Sequence, residues 1–294
     1  MNNFILSCCS TVDLTKEYLE NRDIRYVCLN FELDGVPYKD NFGHDLSADD
    51  LYAAMVSGSD TKTSQVNAAE FEDHFEAILK EGKDILHLSL SSGVSGTYNS
   101  ANIAKMELEE RYPDRKIIII DSLGGSSGSG IILQTMADMK DAGHTMEEIR
   151  DWVDANKLKL QHWLFSTDLT YFVKGGRISK TSGFVGNLLN ICPLITVCPE
   201  GELTPYAKVR TKKKVMEALV KQMELLANDG HDYNEKCFIC HSGCLEDAKK
   251  VSAMVEERFQ NLKGKVEIYN IGPAIGCHSG PGTVGLFFWG KERN

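Results

Sequence analysis

Four consecutive isoleucines, Ile117, Ile118, Ile119 and Ile120, constrain this chain more than any other feature. Successive side chains of a strand point to opposite faces. Branched apolar residues on both faces therefore need cover on both sides, and a strand so covered belongs to a parallel sheet flanked by helices. The flanking sequence keeps the same rhythm. A strand pattern at 4–7 precedes a short helix at 15–21, and one at 85–90 precedes a helix carrying Tyr98, Ile103 and Met106. Residues 26–33 alternate like a strand and end on the turn pair Asp34-Gly35. Ser47 caps a helix through Val56. Asn67 and Glu70 have capping-box spacing ahead of the stripe Phe71, Phe75, Ile78 and Leu79, and Thr145 with Glu148 opens another helix. A Gly/Ser-rich turn at 124–130 leads into a helix from about Ile131. Such alternation predicts a right-handed parallel α/β sheet.

The rhythm changes after Trp163. A short strand, a break at Gly175-Gly176 and a segment at 183–190 come next. Strands at 193–197 and 203–209 form a pair joined by Pro199-Glu200-Gly201-Glu202. A helix at 211–228, a strand at 237–240, a helix at 245–259 and strands at 266–269 and 284–289 complete the chain. The expected fold class is α/β with two domains, a parallel α/β domain over 1–160 and a second α/β domain over 161–294.

A net charge of −10 argues against nucleic acid and anionic membrane surfaces as partners, because both need basic patches. No apolar run is long enough to span a membrane, and the first six residues read as a strand rather than a signal peptide. Nine cysteines without framework spacing sit mostly in apolar runs, which fits reduced thiols in the cytoplasm.

Four motifs can build a site. The turn Ser91-Ser92-Gly93-Val94-Ser95-Gly96-Thr97 joins a strand to a helix. A helix start leaves about four amides unpaired and carries partial positive charge; glycines admit a ligand and hydroxyls add donors. With no Walker lysine, one carboxylate or phosphate suits it better than a nucleotide. Thr63-Ser64-Gln65-Val66-Asn67 reads alone as an N-cap. The segment 272–282 is rich in Gly and Pro, and it reads as a rigid loop positioning His278. In Lys174-Gly175-Gly176-Arg177, the arginine either meets an acidic ligand or pairs structurally. Two patterns are decoys. Cys237, Cys240, His241 and Cys244 resemble haem or metal ligands, but an apolar strand splits Cys237 from Cys240. The glycines at 124–130 do not keep dinucleotide-loop register.

In this order the motifs resemble the DegV family of bacterial fatty-acid-binding proteins, which includes the lipid-binding FakB subunits of fatty acid kinase. The match runs from Ser10-Thr11-Val12-Asp13-Leu14 through Thr63-Ser64-Gln65, 91–100, Asp121-Ser122 and 175–180 to 272–282. The resemblance implies a two-domain, non-catalytic carrier of a long-chain fatty acid, with the lipid at or near the domain interface and no further cofactor. It implies that Thr63, Ser95 and Gly96 hold the carboxylate with His278 beside them. It also implies that Arg210 docks a separate fatty acid kinase, which makes the acyl phosphate; transient membrane contact would accompany lipid exchange. The sequence departs from the family at Cys9, usually Asp, at Val66, usually Pro, and at Cys277, commonly Thr. Phe165, 184–191 and 194–197 are candidates for the tunnel wall. The competing reading is an acyl-transfer or hydrolytic enzyme using Ser95 or Cys277 with His278.

Overall fold

The computed structural model describes residues 3–179 and 191–294, so the segment at 183–190 and most of the wall proposed at 184–191 lie outside the described residues. Strand β1 (Phe4–Cys9) leads to helix α1 (Lys16–Asn21), whose first turn is capped by the Thr15 hydroxyl, and then to β2 (Arg25–Val27). Strands β3 (Asn30–Leu33) and β4 (Val36–Lys39) form a hairpin. Its turn pair, Asp34-Gly35, takes φ of 50° and 79°, the left-handed conformation that suits a tight hairpin. The pattern at 26–33 is thus two strands in different sheets. The Leu29 amide donates to Ser10 Oγ rather than continuing a ladder, and the chain leaves the first sheet there.

Helix α2 (Ala48–Val56) precedes β5 (Thr61–Ser64), which pairs antiparallel with β3. Helix α3 (Ala68–Lys80) begins with the Asn67–Glu70 capping box. Next come β6 (Asp84–Ser89), α4 (Thr97–Arg111) and β7 (Ile117–Asp121). Among the described residues the first sheet is parallel, in the order β2-β1-β6-β7. The isoleucines of β7 divide as their alternation requires. Ile118 and Ile120 join a core with Leu6 and Leu88, while Ile117 joins Phe71 and Phe75 beneath α3 and α4. On α4, Ile103 and Met106 are exposed; the helix buries Ala101, Ala104 and Leu108 instead, and the two alanines let α3 lie close.

Helix α5 (Ser126–Asp141) starts five residues before the expected Ile131. Its glycines are packing positions rather than a loose turn. A methyl group on Gly128 would meet His162 Nε2 at 2.3 Å, and one on Gly130 would meet the Val12 carbonyl at 2.7 Å. Helix α6 (Met146–Asn156) has the Thr145–Glu148 capping box. A second sheet then assembles from β8 (Leu160–Phe165), followed by the short α7 (Thr170–Lys174), and from β9 (Ile191–Val197) and β10 (Leu203–Arg210). Helix α8 (Lys212–Leu226), β11 (Cys237–His241), α9 (Leu245–Arg258) and β12 (Glu267–Asn270) follow, then α10 (Pro273–Ser279) and β13 (Val284–Trp289). The order is β10-β9-β8-β13-β11-β12, antiparallel except between β11 and β12. The molecule is an α/β protein with a parallel sheet and further sheets.

The Gly/Pro segment at 272–282 is not a loop throughout. Pro273 occupies the first turn of α10, where its fixed φ and missing N–H cost nothing. Buried carboxylates secure that helix start: Asp13 accepts from the Gly272 amide at 2.9 Å and Asp40 from the Ala274 amide at 3.2 Å. Burial pushes the Asp13 carboxyl up to about 8 and Asp40 up to about 6.

Candidate functional site

A cavity of about 300 Å³ lies between the second sheet and the turns that leave the first sheet. Its floor is one face of the second sheet. His162 and Leu164 on β8 stand opposite Phe287 and Gly285 on β13, and all four line the space. Phe165, expected in the wall, points to the other face and joins the core there, as the two-residue period of a strand demands. From 194–197, only Val197 reaches the cavity. Its roof comes from Leu29, Leu90, Val94, Ala274 and Ile275.

One part of the wall is polar, and the motifs converge there. Thr63 comes from β5 rather than from a helix cap; the cap is Asn67. Thr63 Oγ1 lies 2.6 Å from His278 Nε2 in the last turn of α10. Ser95 Oγ lies 2.8 Å from Thr97 Oγ1 and accepts from the Thr97 amide at 3.3 Å, at the start of α4. Gly96 is the N-cap of α4 and has no side chain of its own to cap that helix. A methyl group there would meet Gln65 Oε1 at 2.1 Å, so the end of the Gln65 side chain lies directly against the serine turn. Gly175 lies equally close to His278, whose Nδ1 would lie 2.1 Å from a methyl group at that position. Asp121 shapes the serine turn from β7 by accepting from the Ser92 and Leu123 amides.

Arg177, which the sequence leaves undecided, also lines the cavity. Its Nε donates to the Val94 carbonyl at 3.2 Å and its Nη1 to the Gly175 carbonyl at 2.5 Å. Among the described residues no carboxylate pairs with it, and its partners are these two carbonyls. Burial, and secondarily Arg177, pulls His278 down to about 4. The imidazole is therefore neutral at neutral pH, and among the described residues its Nδ1 is buried without a hydrogen-bond partner. Where the Thr63 hydroxyl donates to a ligand, its oxygen accepts from Nε2–H, so histidine and threonine form a short relay.

The other candidates separate from this cluster. Cys277 packs with Phe31, Leu51 and Met55, away from the cavity, and burial pushes its thiol up to about 12. Adjacent in sequence, Cys277 and His278 face different environments. Cys9 lies 3.8 Å from His87 and also stays out of the cavity lining. Cys237 and Cys240 fall on opposite faces of β11, Cys244 donates to the Thr283 carbonyl, and among the described residues no metal-binding group of His, Cys, Asp or Glu converges. Arg210 is exposed at the end of the edge strand β10, outside the cavity. The anchors Asp13 and Asp40 escape a sequence reading of function, because nothing in their spacing ties them to residues beyond 270.

The chain is similar to known proteins along its length. The family profile described as "Uncharacterised protein, DegV family" covers residues 9–291. A DegV domain-containing protein of Clostridium perfringens is 37% identical over 293 residues, covering 100% of this chain and 99% of its own. A DegV lipid binding protein of Thermotoga maritima, known as a crystal structure, superposes with a TM-score of 0.83 at 28% identity and 100% coverage of both chains. The crystal structure of a fatty acid binding DegV family protein of Streptococcus agalactiae superposes with a TM-score of 0.85 at 26% identity, covering 99% of this chain and 100% of its own. The convergence of the serine turn, Thr63 and His278 is thus set in a fold shared from end to end, and the chain belongs to the DegV family.

Proposed function

We propose that this protein is a non-catalytic carrier that encloses a long-chain fatty acid, with the carboxylate at the Thr63–Ser95–His278 cluster. The observation that carries the reading is the division of the cavity wall: the Thr63 and Ser95 hydroxyls, a neutral histidine and the Arg177 guanidinium lie at one place, and a floor and roof rich in aliphatic and aromatic side chains make up much of the rest. A buried carboxylate is costly unless hydrogen-bonded. Thr63, Ser95 and the start of α4 supply donors, and Arg177 supplies charge. Each hydrogen bond to a charged group contributes about 1.5–3 kcal/mol. The tail contributes more: at about 0.8 kcal/mol per methylene, a chain of about fifteen gives about 12 kcal/mol gross, less the costs of ordering and association. The tail thus sets affinity and the polar cluster sets orientation. Fatty acid binding by the Streptococcus agalactiae protein, 26% identical over nearly the whole chain, supports the same ligand class here.

A carrier role also fits the histidine. A nucleophile–base pair needs His278 on Ser95 or Cys277 and a group orienting its other nitrogen. Here Nε2 meets Thr63, and Nδ1 faces Gly175 with no partner among the described residues. The reading continues to a separate kinase that phosphorylates the presented carboxylate, with exposed Arg210 in the docking surface. Mass spectrometry of lipid extracted from the purified protein tests the central claim: a long-chain fatty acid at near one equivalent is expected, and failure to find one or to load one sinks it. An Arg210→Ala protein should keep its lipid and lose acyl-phosphate formation with the kinase; loss of lipid binding would remove Arg210 from the docking role.

A further inference from the structure

Glycine lines the cavity at Gly96, Gly124, Gly125, Gly201 and Gly285. At all but one of these positions the absence of a side chain has a local cause. A methyl group on Gly96 would meet Gln65 Oε1 at 2.1 Å, one on Gly124 would meet His162 Nε2 at 2.3 Å, and one on Gly285 would meet Cys240 Sγ at 2.8 Å. Gly201 has φ of 80°, the left-handed region, and a methyl group there would meet Ser91 Oγ at 2.1 Å. Gly125 has no such cause. Its φ of −164° and ψ of −178° are extended backbone that any residue adopts. Among the described residues, the atoms that a methyl group there would meet beyond its chain neighbours are the ends of two flexible side chains, Leu90 Cδ1 at 3.0 Å and Ile275 Cδ1 at 3.8 Å. Both line the cavity roof, so a side chain at position 125 would project between them into the cavity. Gly125 is also the N-cap of α5, where serine or asparagine would bond a free amide. The chain forgoes that cap and leaves the space open.

Leu90 directly precedes the serine turn, and Ile275 precedes His278 by three residues, just under one turn of α10. The space beside Gly125 therefore lies next to the carboxylate cluster, where a tail leaves it for the apolar part of the cavity. We propose that Gly125 is a specificity-determining residue: the acyl chain occupies the room left by its missing side chain, and that room lets the cavity take long acids in preference to medium ones. This rests on the fatty-acid reading above and deepens it to a preference in chain length. A side chain at position 125 would displace the tail, and each methylene kept out of the cavity costs about fourfold in affinity.

Calorimetric titration of the delipidated full-length protein with straight-chain acids from decanoic to octadecanoic acid tests this. In the native protein affinity should rise with chain length across the series. In Gly125→Leu, whose side chain displaces about four methylenes, decanoic acid should bind within about twofold of the native value while octadecanoic acid binds about 200-fold more weakly. Gly125→Ala should show the same pattern with a loss of about fourfold, and it carries the comparison if Gly125→Leu does not fold. A loss equal at every chain length overturns the proposal, because a damaged fold or carboxylate cluster acts on all acids alike. Octadecanoic acid bound as tightly by the folded variants as by the native protein overturns it as well. In both cases binding by the native protein leaves the fatty-acid reading standing. If no acid binds the native protein, that reading fails and this proposal falls with it.

Discussion

Thr63 and His278 are 215 positions apart, yet their side chains meet at 2.6 Å. The contact depends on three small features: Gly96 admits Gln65, Gly175 admits His278, and Pro273 starts the helix that carries the histidine. Removing the Thr63 hydroxyl with Thr63→Val should weaken fatty acid binding about tenfold to 150-fold, the loss of one charge-assisted hydrogen bond. Ser95→Ala should act in the same direction, whereas Cys277→Ser, outside the cavity, should not; titration of the three proteins with one acid distinguishes them. Arg177→Gln removes the guanidinium charge from the cavity wall and should raise Kd with a steeper loss at low salt than at high salt. Equal affinities at every salt concentration would mean that the guanidinium serves only Val94 and Gly175. These residue types are legible in the sequence as a set, because hydroxyls and glycines at a strand–helix turn have a chemical meaning. Arg177 is not, since a half-buried arginine near Gly175-Gly176 looks the same whether it meets a ligand or a carbonyl.

At the scale of elements, alternation and capping made the parallel sheet and most helices legible. Four isoleucines in β7 divide between two cores because a strand has no other way to place them. Glycine was the misleading residue. In α5 and α10 it suggested turns, but the chain is helical there and glycine serves close approach. Propensity disfavours such a helix by about 1 kcal/mol per glycine; packing against the second sheet overrides it. Gly128→Ala separates the two effects. By propensity it stabilises, but its methyl would meet His162 at 2.3 Å and Phe287 at 2.8 Å, so we expect a loss of about 1–3 kcal/mol in denaturant unfolding. A gain in stability would mean that α5 is not held against β8 and β13 as described.

Across the whole molecule, Asp13 ties the end of the first sheet to two of the helices that border the cavity, α5 and α10. It accepts from the Gly272 amide, 259 positions away, and from the Ser126 hydroxyl. Burial, ahead of the opposing hydrogen bonds from Ser126 and Gly272, raises its carboxyl from 3.8 to about 8. A raised carboxyl favours folding most below its unfolded value, and that contribution is lost as pH rises through the folded value. The stability of the native protein relative to Asp13→Asn should therefore fall between about pH 4 and pH 8 and level off on either side. A difference that does not change with pH would show Asp13 ionised throughout.

The central claim concerns where a carboxylate sits, and a crystal structure of the protein loaded with a long-chain fatty acid reads that directly. The account predicts carboxylate oxygens within hydrogen-bonding distance of Thr63 Oγ1 and Ser95 Oγ, close to Arg177, with the tail running over Leu164 and Phe287. A carboxylate held elsewhere, or a chain lying outside the cavity, would contradict it.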